Sequence, residues 1–129
     1  QNSGAEAALY MIHAYAEPHE DTNPQMIKDI KKMYIDAGND NNALVIPVGI
    51  AFEKSYSANP DIKLHKHYDG SHPNLLGTYL AACVVFASIT HISPKKIEYS
   101  YYNKINDADK EFLQRMAHET VETFYDINL

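Results

Sequence analysis

Three histidines and an aspartate crowd the segment His65-Lys66-His67-Tyr68-Asp69-Gly70-Ser71-His72, which runs into Pro73-Asn74 and a strongly apolar stretch. Two chemistries suit these residue types at this spacing. In the first, Asp69 accepts the Nδ1 proton of His72, fixes the tautomer of the ring and favours its protonated form. Nε2 is then left to take a proton from a nucleophile. Gly70 permits the tight turn between the two side chains, and Pro73 at a helix start gives the imidazole a rigid base. In the second, His65, His67 and Asp69 alternate, so an extended backbone would put all three on one face. His72 would be a fourth ligand, and imidazole with carboxylate suits zinc. A plainer arrangement also fits. D-x-x-H is a short pattern, and its spacing alone favours a turn capped by Asp69 with His72 on the surface.

The other candidates are scattered. His13 closes an apolar run and can line the edge of a substrate site, because ligands of open α/β sheets bind at strand carboxyl ends; a satisfied core histidine is the alternative. Glu17, His19, Glu20 and Asp21 follow it, as a substrate loop or a solvated turn. Tyr99, Tyr101 and Tyr102 can stack on a sugar or simply pack. His118 is predicted at the surface of the last helix. Ser71 sits between Asp69 and His72, poorly placed as a nucleophile, and Ser55 and Ser57 have no elbow-like setting. Cys83 lies in the most apolar segment, so a buried, inert thiol is predicted.

These residues need elements to hold them. The chain has 129 residues, about one domain, with no evident linker, and 45% of them are hydrophobic, enough for a core. A formal charge of −6 argues against nucleic acid or an anionic membrane as main partner. No apolar run is long enough to span a bilayer. One cysteine rules out an internal disulfide and leaves the compartment open, periplasm and exterior included. The chain starts at Gln1 with no signal-peptide pattern, and is expected to be processed or part of something longer.

Ala8 to Tyr15 is predicted as a buried strand bounded by Glu17-Pro18. Asn23-Pro24 then starts a helix with Met26, Ile27, Ile30, Met33 and Tyr34 on one stripe, and Gly38 is predicted to end it. Ala43 to Gly49 reads as a second strand, covered on both faces, with Pro47 marking its end or an edge position. Ile50 to Ser57 is a short helix or turn. Strand, helix and strand of these lengths make a βαβ unit, hence a parallel sheet. Ile62 to Tyr68 is extended or loop. Pro73 to about Ile92 is a long apolar helix whose Gly77, Ala81, Ala82 and Ala87 allow close packing on a sheet. Asn106 or Asp107 caps a last helix through Tyr125. Two strands cannot cover four helices, and an open α/β sheet usually has about five. The chain therefore reads as the second half of a doubly wound domain, its first strands on another segment or chain.

A family resemblance supports this division. Asp69-Gly70-Ser71-His72-Pro73-Asn74, followed by Leu76-Gly77-Thr78-Tyr79-Leu80-Ala81-Ala82-Cys83, resembles the last conserved block of the SGNH (GDSL-like) hydrolases, D-x-x-H-P with a glycine-containing helix. Ile46 to Phe52 resembles the strand before that block, and Leu113 to Ala117 with Glu119-Thr120-Val121 resembles the closing helix of carbohydrate-associated members. The likeness covers most of this chain but only the C-terminal half of the family. It implies a flavodoxin-like three-layer α/β/α sandwich with a parallel sheet, residues 1–129 forming the C-terminal part of one domain. It implies a serine esterase in which Asp69 and His72 are the acid and base of a Ser-His-Asp triad. A carboxylic ester would be the substrate, such as an O-acetyl group on a carbohydrate, with no cofactor. The nucleophilic serine and the oxyanion glycine and asparagine of the family have no counterpart here; Gly38-Asn39-Asp40 lacks a residue of the asparagine block. The metal alternative has its own echo, since H-K-H-Y-D-G-S-H approaches the H-x-H-x-D-H motif of metallo-β-lactamase-like hydrolases with two extra residues. A noncatalytic interaction module is the third alternative, its open sheet edge pairing with another chain.

Overall fold

Both predicted strands form, and both are shorter than their apolar runs. The computed structural model describes residues 4–129, in the order β1 (Ala8–Tyr10), α1 (Met26–Asn41), β2 (Leu44–Ile46), α2 (Val48–Ala58), α3 (Leu75–Thr90), a 3-10 turn at Pro94–Lys96 and α4 (Asp107–Tyr125). The protein is mixed α/β and mostly helical, with a small parallel sheet of two strands in which Ala8, Leu9 and Tyr10 pair with Leu44, Val45 and Ile46.

Pro47 explains where the sheet stops. It has no N–H for the ladder, and its ring holds a φ of −85° compatible with a helix start. The second run therefore turns into α2 at Val48 instead of continuing to Gly49. The first run loses its partner at that point. Met11 still donates to Ile46 O at 3.0 Å and accepts from Gly49 N at 3.0 Å, and beyond it residues 12–16 continue without a ladder.

The covering of β2 on both faces is as predicted. Val45 packs with Met11 and Ile30 against α1, while Leu44 and Ile46 join the larger cluster built from α2, α3 and α4. Alternation along the strand sends neighbouring side chains to opposite faces. The Tyr125 hydroxyl, at the end of α4, donates to Val45 O at 2.6 Å and ties the last helix to the strand. The first apolar run is less well covered than predicted: Tyr10 and, beyond the strand, Ile12 are 43% and 46% exposed.

Helix ends moved by a few residues. Gly38 does not stop α1, which runs to Asn41 and ends with Asn42 in the left-handed region at φ 48°. Glycine serves a different need there, because a Cβ at Gly38 would lie 2.4 Å from Val45 Cγ2. α1 begins at Met26, after a turn in which Asn23 Oδ1 accepts from Gln25 N at 3.0 Å. α3 begins one residue beyond Asn74, whose Oδ1 accepts from Gly77 N at 3.0 Å, so Asn74 and not Pro73 sets that start. α4 is capped as predicted, with Asn106 Oδ1 accepting from Asp109 N at 2.8 Å. α3 lies mainly on α4 and α2 and little on the sheet; its Gly77 admits the close approach of Leu64 O, where a Cβ would lie 2.2 Å away, and its Ala82 is exposed. Among the described residues no helix is long and apolar enough to cross a membrane.

Candidate active site

The histidine-rich segment is a closed loop. His65 and Pro73 form an antiparallel bridge, Lys66 N donates to His72 O at 2.8 Å, and Asn74 N donates to Leu64 O at 2.8 Å. Between these rungs the chain turns tightly, with Gly70 N donating to Lys66 O at 3.0 Å. Gly70 sits at φ 62°, and a Cβ there would come within 1.8 Å of Ala16 O. Only glycine fits, both for the left-handed backbone and for the approach of the segment leaving β1.

Within this loop Asp69 and His72 meet. Asp69 Oδ2 accepts from His72 Nδ1 at 2.7 Å, while Oδ1 accepts from Ser71 N at 2.9 Å and His72 N at 3.0 Å. The Ser71 N–H, aided by the His72 ring and N–H, brings the Asp69 carboxyl down to about 2. An acceptor at Nδ1 requires the proton there, which leaves Nε2 of a neutral ring as a base. The His72 side chain is 72% exposed and Asp69 only 26%, so the imidazole faces outward from an anchored carboxylate. Nε2 has no hydrogen-bond partner among the described residues.

The loop is fastened to the segment that leaves the carboxyl end of β1. Ala16 N donates to Gly70 O at 2.8 Å, His13 Nε2 donates to Ser71 O at 2.7 Å, and His65 Nε2 donates to Ala14 O at 2.9 Å. The Glu17-Pro18 peptide that follows is cis. His13 therefore does not stand at an open substrate edge. It lies half-buried beneath the loop, stacked on Phe52 at 4.5 Å and meeting the edge of His65 at 4.8 Å.

The alternating metal face does not form. The chain leaves the extended path after Lys66, so His65, His67 and Asp69 diverge. His65 is buried, with Nε2 on Ala14 O and Nδ1 accepting from the Tyr56 hydroxyl at 2.6 Å. His67 is exposed and packs edge-on to Tyr68. Among the described residues no three His, Cys, Asp or Glu side chains gather to hold a metal ion.

Two groups escape sequence reasoning. Tyr56 links α2 to the loop, because its oxygen also accepts from Leu64 N at 3.2 Å; no spacing rule connects it to His65. His118 is 8% exposed, not superficial: Nδ1 meets Ser93 Oγ at 2.9 Å, and Nε2 lies 3.3 Å from Glu122 Oε2. The i, i+4 spacing of His118 and Glu122 on a helix was the available signal. Ser93 caps the 3-10 turn, so this set pins that turn to α4. Cys83 is buried as predicted, and burial pushes its thiol up to about 12. Ser55 is also buried and donates to Ala51 O at 2.7 Å. Tyr99, Tyr101 and Tyr102 form an exposed cluster, Tyr101 and Tyr102 at positive φ, and Tyr99 O accepts from the Tyr79 hydroxyl at 2.9 Å.

No protein-family model and no curated protein matches the sequence. Among solved structures, the fold is similar to the crystal structure of a DUF4886 family protein from Bacteroides uniformis, with a TM-score of 0.83 and 23% sequence identity. The match covers 99% of this chain and 52% of that one, so this chain spans about half the length of its structural neighbour.

Proposed function

We propose that this chain is the C-terminal half of an SGNH-type serine ester hydrolase and supplies its base and orienting acid. One observation carries the proposal: Asp69 Oδ2 and His72 Nδ1 lie 2.7 Å apart in a loop fastened to the segment that leaves the carboxyl end of β1, with the imidazole open to solvent. That is the geometry in which a carboxylate fixes the tautomer of a general base. The two-faced covering of β2 agrees with a three-layer sandwich, and the half-length match to a longer fold agrees with the rest of the domain lying outside these residues.

In the complete enzyme a serine from the other half attacks the ester carbonyl while His72 Nε2 takes its proton. The tetrahedral intermediate, its oxyanion held by N–H donors of that half, collapses as His72 returns the proton to the departing alcohol. Water then repeats the cycle on the acyl-enzyme. Asp69 keeps the ring oriented and balances the imidazolium. The resemblance favours a carboxylic ester, with an O-acetylated carbohydrate as the substrate class. No cofactor enters this chemistry.

The test is His72→Ala in the full-length polypeptide, assayed on p-nitrophenyl acetate. Activity should fall by roughly a thousandfold or more. The 129-residue chain alone should be nearly inert. A variant that keeps the wild-type rate removes His72 from the mechanism. The open edge of β1 also suits an interaction module, and a source protein whose intact mass equals that of these residues alone would favour it.

A further inference from the structure

Two consecutive peptide groups in the Asp69–His72 turn are held at both ends. The Gly70–Ser71 peptide has its oxygen on Ala16 N at 2.8 Å and its N–H on Asp69 Oδ1 at 2.9 Å. The Ser71–His72 peptide has its N–H on the same Oδ1 at 3.0 Å and its oxygen on His13 Nε2 at 2.7 Å. His13 thus does with a side chain what Ala16 does with its backbone. A peptide plane gripped at oxygen and nitrogen has little freedom to rotate, and its orientation sets where the Cα–Cβ bond of His72 points.

We infer that His13 is a positioning residue for the Asp69–His72 pair, holding the Ser71–His72 peptide by its oxygen so that the His72 ring leaves the turn in one direction. Its surroundings are built for that bond. Phe52 stacks on the ring with 12° between the planes, and His65 closes one side at 75°. His65 is itself locked to Ala14 O and the Tyr56 hydroxyl, so the wall does not yield. Ser71 O can only accept, so the proton must sit on Nε2 of His13. Nδ1 is then buried with no hydrogen-bond partner. The opposite tautomer would set a lone pair against the Ser71 carbonyl and lose the bond, which the unpartnered Nδ1 does not replace.

The inference rests on the hydrolase reading only for what His72 does afterwards; the positioning is measurable without any substrate. His13→Phe keeps a ring between Phe52 and His65 and removes the donor, whereas His13→Gln keeps a donor. In ¹⁵N-edited spectra of the histidine rings, the 129-residue chain should show neutral His72 mainly as the Nδ1–H form, with a slowly exchanging Nδ1 proton. His13→Phe should lose that slow proton while its helical circular dichroism is kept, and His13→Gln should restore it in part. In the full-length polypeptide His13→Phe should lower kcat by roughly ten- to a hundredfold with KM little changed, the scale of a misplaced catalytic group. An unchanged His72 spectrum in a folded His13→Phe chain overturns the inference. Should both variants fail to fold, the unmodified chain still decides: His13 as Nε2–H supports the inference, and His13 as Nδ1–H overturns it. A correct His13 result beside an inactive full-length protein would fell the hydrolase reading alone.

Discussion

Asp69 does two jobs with two oxygens: Oδ1 holds the turn through two N–H groups, and Oδ2 holds the His72 ring. Asparagine in its place keeps the carbonyl oxygen for the turn but offers an amide to Nδ1, which turns the tautomer the wrong way. Asp69→Asn in the full-length polypeptide should therefore stay folded while kcat falls by about a thousand- to ten-thousandfold; an intact kcat in that variant would make Asp69 a mere turn cap. With its carboxyl at about 2 instead of the ordinary 3.8, what Asp69 adds to stability is present above the ordinary value and is lost as pH falls through about 2. The buried histidines act at milder pH. Burial lowers both His13 and His65 from 6.5; at His13 the Ser71 carbonyl opposes it and the charge of His72 adds to it, and at His65 the Ala14 carbonyl and Asp69 oppose it and the charge of His13 adds to it. Below 6.5 the unfolded chain takes up protons that these folded rings resist. Their contribution is thus full above that pH and declines as pH drops through it. His65→Phe, which leaves the Tyr56 hydroxyl and Ala14 O without their partner, should cost about 2–4 kcal/mol near neutral pH. It should also flatten the loss of stability between neutral and about pH 5.5, read from urea midpoints. An undiminished pH dependence in that variant would place the sensitive group elsewhere.

The loop between Leu64 and Asn74 works as an element although it has almost no regular structure, and Gly70 is where it meets the segment leaving β1. Gly70→Ala must place a Cβ 1.8 Å from Ala16 O at a positive φ. Backbone on both sides cannot retreat as a flexible side chain would, so about 2–4 kcal/mol of stability should go, together with the protection of the Ala16 amide from hydrogen exchange. A melting curve unchanged by Gly70→Ala would mean the loop is not clamped to the segment leaving β1. Much of this element was legible. Asp69, Gly70 and His72 announced a tight turn, with the pairing of the imidazole as one of the open readings, and Asn106 announced the start of α4. The rest depended on distant partners. His13 and Ser71 are 58 residues apart, and Tyr56 meets His65 across a turn, so neither bond leaves a periodic trace. Gly38 misled for a related reason: a glycine needed for close approach to Val45 looks the same in one dimension as a glycine that ends a helix. The metal reading failed because alternation predicts a common face only while the backbone stays extended, and it turns after Lys66.

At the scale of the molecule, the sheet has one covered strand and one half-covered strand. β1 pairs only with β2, and its other edge is open among the described residues. Leu9 and Met11 point into the cluster against α1, so by alternation Tyr10 and Ile12 share the opposite face, where they remain 43% and 46% exposed. Elsewhere, Ile89 in the last turn of α3 and Ile92 just beyond it are exposed at 63% and 58%. An open parallel edge that carries an exposed tyrosine and isoleucine of its own is an association surface unless something covers it. If the proposed first half covers this face, one substitution should act in opposite senses in two contexts. In the 129-residue chain, Ile12→Lys should reduce concentration-dependent association in sedimentation velocity while leaving the helical signal unchanged. In the full-length polypeptide the same change should bury a charge against the added strand and lower stability by about 1–3 kcal/mol. Ile12→Lys without effect on the stability of the long form would show that the extra residues pack elsewhere, and the triad could not then be completed across the carboxyl end of β1.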